Sequence, residues 1–235
     1  MVNKKKGNYN FIFVIGILAA LILVGAILYI APRYNSQVIF NMNTDNSSKL
    51  MNDSYSVYIT NDDDFGNVYY FKGTDYLKLN EKINATHGFS VSAFTFVADN
   101  KSRNNLGIVS TSTQNNVSGF RFKYRDFEEE DRIYVQIGDS LFYGNITNEK
   151  CYMNWCHFAF TYNPSGKTKI YLNGESVGTF YTDQGIVIDN RINVGNTITT
   201  NVEFFKGKIS NVTVYDGVLS DSEIEEISKA LENSQ

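Results

Sequence analysis

Residues 155–178 read WCHFAFTYNPSGKTKIYLNGESVG. Apolar and polar side chains alternate through Trp155–Tyr162 and again through Lys169–Leu172, as expected of strands with one buried face. Asn173–Gly174 then predicts a tight hairpin turn, because both residues accept a positive φ. The next run, Gly178–Tyr181, completes the pair. Working outward, short runs bounded by Gly, Asn and Asp predict further strands at Val68–Phe71, Tyr76–Leu79, Phe89–Val97, Gly107–Thr111, Phe120–Tyr124 and Ile133–Ile137. On the C-terminal side, Ile186–Val194 and Gly207–Tyr215 follow. Many short strands with frequent turn signals define an all-β, two-sheet antiparallel sandwich. One helix is expected at the C-terminus, where Ser220 and Glu223 form a capping box ahead of Ile224, Ile227 and Leu231 on one face.

Composition supports β-structure and excludes several classes. The chain has 235 residues with 17 Phe and 16 Tyr, and aromatic side chains favour strands. Two Pro and two Cys exclude a collagenous chain and a disulfide-rich miniature scaffold. A net charge of −4 argues against nucleic acid as a partner, and two His with two Cys make a zinc centre improbable.

Phe11 to Ile30 is FIFVIGILAALILVGAILYI, twenty residues without a charge. As a helix it spans roughly 30 Å, the hydrocarbon thickness of a bilayer. A cleavable signal peptide has a shorter apolar core, so a retained anchor over residues 11–31 is expected, with membrane lipid as its partner. Lys4, Lys5 and Lys6 place tail 1–10 in the cytoplasm and the rest on the opposite side. Residues 32–53 are polar and read as a stalk; residues 54–235 form the sandwich domain.

At FSVSAFTFVADN (89–100), WCHFAFTYNPSGKTKIYLNGESVG (155–178) and FKGKISNVTVYDGVLSDSEIEEI (205–227), the chain resembles laminin G-like domains of the concanavalin A-like lectin/glucanase superfamily, of pentraxin type. FKGTDYLKL (71–79) is similar to their first core strand. The resemblance implies a jelly roll and is silent on function, since the fold carries lectins, glucanases, adhesion modules and structural domains.

The chemistry of those relatives is mostly missing here. Glycoside hydrolysis needs two placed carboxylates, carried in the enzyme branch by E-x-D-x-x-E on one strand. No such string occurs; Glu128–Asp131 is a contiguous run whose members alternate faces. No catalytic residue is expected, so the chain reads as a non-enzyme, a degenerate glucanase being the remote alternative. The resemblance also raises calcium as a cofactor, a hard cation taking loop oxygens. The corresponding loop, Asn196–Glu203, offers one carboxylate. Asp62 and Asp64, within Asn61–Asp64, are the weak metal candidates, with a polar turn as the simpler reading. His157 reads as a structural strand residue, His87 as a loop residue, and Trp155, the one Trp, as core.

Cys151 and Cys156 either close a small loop or leave Cys156 as a buried small apolar group. Sequons begin at Asn46, Asn52, Asn84, Asn100, Asn116 and Asn145, the glycosylation candidates, and at Asn211 inside an expected strand. Together these point to a membrane-anchored structural or interaction protein whose jelly roll docks a protein partner or lattice. An Asn-rich, Pro-poor anchored sandwich suits a minor capsid protein tying a viral membrane to its shell. The alternative is a lectin-like receptor for glycan.

Overall fold

The computed structural model describes residues 37–42, 57–83, 87–98, 105–111, 119–125, 131–146, 151–182, 186, 191–197 and 203–230. The tail and apolar run, the run Glu128–Glu130 and the sequons at Asn46, Asn52, Asn84, Asn100 and Asn116 lie outside these residues. Among the described residues no helix is long and apolar enough to cross a membrane.

The strands in chain order are β1 Gln37–Met42, β2 Tyr58–Asp62, β3 Gly66–Lys72, β4 Leu77–Lys82, β5 Phe89–Val97, β6 Leu106–Ser110 and β7 Phe120–Arg125. They continue as β8 Asp131–Ile137, β9 Ser140–Ile146, β10 Trp155–Tyr162, β11 Lys167–Leu172, β12 Glu175–Tyr181, β13 Arg191–Val194 and β14 Lys206–Asp216, followed by helix α1, Asp221–Ser228. An eight-stranded antiparallel sheet runs β12-β11-β10-β5-β14-β3-β2, with β1 also paired to β14. A six-stranded sheet runs β4-β13-β6-β7-β8-β9.

The core lies between the sheets and is rich in aromatics. Phe160 from β10 meets Phe120 and Phe122 of β7 at 5.1 and 5.0 Å between ring centroids, and Phe89 of β5 at 5.6 Å. Tyr124 stacks on Phe158 at 5.6 Å. The 173–174 turn has φ of 48° at Asn173 and 87° at Gly174, as its sequence requires. Helix α1 carries the capping box: Ser220 Oγ accepts from the Glu223 N–H, and Glu223 accepts from the Ser220 N–H. It rests on the outer face of the eight-stranded sheet, burying Ile224 with Ala159, Tyr171 and Leu219.

Three strands depart from the sequence reading. Part of the stretch read as stalk, Gln37–Met42, pairs with Val212–Asp216 of β14. Its VIF run was hidden among polar neighbours, and β14 has room for it because β3 pairs only with Lys206–Ile209. β2 and β9 were not among the expected strands: β2 is mostly exposed, and β9 contains Gly144 and Asn145. The expected strand at Ile186–Val194 is formed at Arg191–Val194. Asn211 sits at a bulge in β14 with φ of 47°, a conformation Asn tolerates.

Trp155 is also a correction. On β10 it is Cys156, Phe158, Phe160 and Tyr162 that face the core, so alternation sends Trp155 outward. There its ring packs on Phe65 at 4.5 Å and Phe96 at 5.9 Å, and Nε1 donates to Asp62 Oδ1 at 3.2 Å. Because the ring is only half-buried, Trp155→Ala is expected to cost about 2 kcal/mol, below the range for a fully buried aromatic. Denaturant titration measures it; a loss of 4 kcal/mol or more would mean that the aromatic patch acts as core.

Candidate functional site

Asp62 and Asp64 do not assemble a metal site. Asp62 Oδ2 accepts from Lys208 Nζ at 2.5 Å, and Oδ1 accepts from the backbone N–H groups of Asp64 and Phe65 as well as from Trp155. Burial pushes the Asp62 carboxyl up, but the Lys208 bond and charge and the backbone donors outweigh it and hold the group below its ordinary range. Asp64 points to solvent. No group of three potential metal ligands occurs among the described residues. His157 is fully buried, with Nε2 2.8 Å from Ser92 Oγ and its ring 4.8 Å from Phe94. His87 is an exposed loop residue. Cys151 and Cys156 are bonded and buried, with Cα atoms 5.6 Å apart. Asn145, the described sequon candidate, is exposed on β9. Asp131 accepts from the Tyr124 hydroxyl at 2.5 Å.

The chemistry gathers instead on the outer face of the six-stranded sheet. Core residues Phe120, Phe122, Ile133, Val135, Phe142 and Ile146 alternate with outward ones, and the register sorts the latter into rows. One row runs Lys78, Asn193, Ser110, Arg121, Gln136, Leu141. The next runs Lys123, Tyr134, Tyr143, and the third Arg125, Arg132, Asn145. Tyr143 is 46% exposed, 6.0 Å from Tyr134, and the Arg132 guanidinium lies 4.8 Å above its ring. This is a cation–π pair with one aromatic face of the strand pair open to a ligand.

Glu203 organises the other side of this face. Its carboxylate accepts from Lys123 Nζ at 3.0 Å, Asn105 Nδ2 at 2.8 Å and Thr197 Oγ1. Burial alone would raise its pKa; the Thr197, Lys123 and Asn105 contacts reverse this and hold it below the ordinary value. Gly107 lies opposite Lys123 and lets this loop close, since a Cβ there would stand 2.6 Å from the Glu203 carbonyl oxygen. The one carboxylate of the Asn196–Glu203 loop is therefore spent on a lysine. Strands β7 and β8 were expected, but their pairing was not, so the rows were invisible. The available signal was the run of cations at alternate positions in FRFKYR.

Two packed antiparallel sheets, one with a polar strand face, define a lectin-like sandwich. The chain belongs to the laminin G-like family described as the concanavalin A-like lectin/glucanases superfamily, whose model matches residues 71–225. Its fold is similar to that of a SAP-like pentraxin from Limulus polyphemus, with a TM-score of 0.59, 20% identity, and coverage of 68% of this chain and 80% of that one. Domain 4 of an extracellular GH43 arabinanase from Geobacillus stearothermophilus, solved with arabinotriose, gives 0.58 and 15%, covering 74% and 82%. The botulinum neurotoxin serotype D binding domain gives 0.57 and 16%, covering 85% of this chain and 48% of that one. No curated protein matches.

Proposed function

We propose that this chain is a non-catalytic binding protein, held in a membrane by residues 11–31 with its sandwich on the non-cytoplasmic side, whose six-stranded sheet carries the ligand face. The observation that carries the reading is the row pattern: Arg121, Arg125 and Arg132 with Tyr134 and Tyr143 on one sheet face, Lys123 between them being paired with Glu203, in a segment 33–235 whose net charge is −7. Arg and Tyr are the side chains that dominate binding energy when a partner covers them. A cationic face selects an acidic partner. A repeated shell or lattice protein fits this role, because an anchored array turns weak contacts into firm attachment. A capsid protein joining a membrane to its shell is the particular form we propose.

A second reading, binding of glycan, is favoured by the exposed Tyr143 ring, a stacking surface for a sugar. The experiment is capture of the partner by the intact protein from its native membrane or particle, beside Tyr143→Ala and Arg132→Ala variants. Each variant is expected to weaken capture by roughly 30-fold, the effect of losing about 2 kcal/mol at a hot spot. A chelator should leave capture unchanged. Release by added glycan moves the assignment to the lectin reading. Undiminished capture by both variants removes the six-stranded face from consideration, and polysaccharide turnover by the protein refutes the non-catalytic reading.

A further inference from the structure

We infer that Asn145 carries an N-linked glycan whose first sugar lies against the Tyr143 ring; the inference rests on the reading that the sandwich is on the non-cytoplasmic side, where such transfer takes place. Residues 143–147 read YGNIT, an Asn-x-Thr acceptor with an aromatic residue two positions ahead of the asparagine.

The strand decides where these side chains go. On β9, Phe142 turns inward to stack on Phe180 at 5.3 Å, and Ile146 is buried. A Cβ on Gly144 would stand 2.6 Å from Val177 Cγ2 of β12, so glycine lets the two strands close on the inward side. Alternation then sends Tyr143 and Asn145 outward together, about 7 Å apart along the strand. Both are exposed, Tyr143 at 46%. β9 is the last strand of the six-stranded sheet, which gives a bulky group at Asn145 room to one side. A sugar bonded to Asn145 Nδ2 meets the ring two positions back, and its C–H face packs there as an aliphatic group does. Arg132, opposite Asn145 in the register, supplies donors for the sugar oxygens.

Asn211 begins the equivalent string NVT, with a different setting. It is half-buried within β14 between β1 and β5, and Thr213 is buried with its Oγ1 donating to the Asn211 carbonyl oxygen at 3.2 Å. A glycan has no such room there.

The transfer balances as a substitution. The Asn145 amide nitrogen bonds to C1 of the first sugar of a lipid-linked oligosaccharide and loses one proton. The bond from C1 to the diphosphate oxygen breaks, and the lipid diphosphate leaves with the electron pair. The ring that the glycan covers belongs to the proposed ligand face. A chain modified at Asn145 therefore has the Tyr143 end of that face closed, and an unmodified chain offers the ring to a partner.

The test is expression of the full chain in mammalian cells, followed by enzymatic removal of N-glycans in heavy-oxygen water, which turns each modified asparagine into labelled aspartate. Label is expected at Asn145 and not at Asn211. Deglycosylation is also expected to lower the unfolding midpoint of wild type by about 3 °C more than that of Tyr143→Ala, the shift that follows from losing one ring contact. Label at other sequons but not at Asn145 overturns the modification and leaves the non-cytoplasmic reading intact; no label at any sequon overturns both. Equal label at Asn211 overturns the selection by exposure. Label at Asn145 with equal midpoint losses in the two proteins overturns the seat on Tyr143.

Discussion

Phe160→Ala should destabilise the domain by about 3–5 kcal/mol, a large part of the 5–15 kcal/mol that holds a typical domain folded. Phe160 is fully buried and sits where the two sheets meet. Its ring contacts Phe89 on its own sheet and Phe120 and Phe122 on the facing one. Truncation removes apolar burial and leaves a cavity that rigid strands on both sides close poorly. The edge-on ring pairs are lost as well, each worth about 0.5–1.5 kcal/mol beyond area. Thermal unfolding of the detergent-solubilised protein should show a midpoint lower by roughly 10 °C. Phe160→Leu, which keeps most of the volume, should cost distinctly less. A Phe160→Ala protein with an unchanged midpoint would mean that the sheets do not pack through this aromatic layer.

Acidification should weaken the fold from pH 6.5 downward, and His157 should be the cause. Burial lowers its pKa from the ordinary 6.5 to about 3. Above pH 6.5 the imidazole is neutral in both folded and unfolded chains, so the group contributes no slope. Below 6.5 the unfolded chain takes up a proton that the folded chain refuses, so stability falls by up to about 1.4 kcal/mol per pH unit. The loss continues until the folded-state pKa near 3 is reached. Between pH 6.5 and 5 carboxylates at ordinary or lowered pKa stay ionised, so the slope in that window isolates the histidine. Denaturant titrations at pH 7, 6 and 5 should show a decline in wild type that disappears in His157→Gln, which can still bond Ser92. An equal decline in both would assign the acid sensitivity elsewhere.

The two predictions rest on different kinds of legibility. Alternation in FSVSAFTFV and WCHFAFTY marks β5 and β10 to the residue, because a strand between two faces must alternate its side chains. Asn173–Gly174 and the Ser220–Glu223 capping box are equally local: each is a short stretch whose backbone conformation its own side chains favour. Phe160 points inward by the same alternation. Which aromatics it meets is not local, since Phe120 and Phe122 lie forty residues away in the chain.

What the sequence determined by itself was therefore the fold class, the family, most strands and the terminal helix. Everything depending on which strand lies beside which was decided by the tertiary structure. β1 became a strand because β14 offered an unpaired stretch of edge, not because its own composition demanded it. Trp155 moved from the expected core to the outer face, where Asp62, 93 residues earlier, takes its N–H. The proposed binding face needed register above all. Arg121, Tyr134 and Tyr143 each look like an ordinary solvent-side residue of its strand, and only pairing across β7, β8 and β9 sets cations and rings side by side. Periodicity is a local property of the chain, whereas register is set by long-range packing that no short window contains.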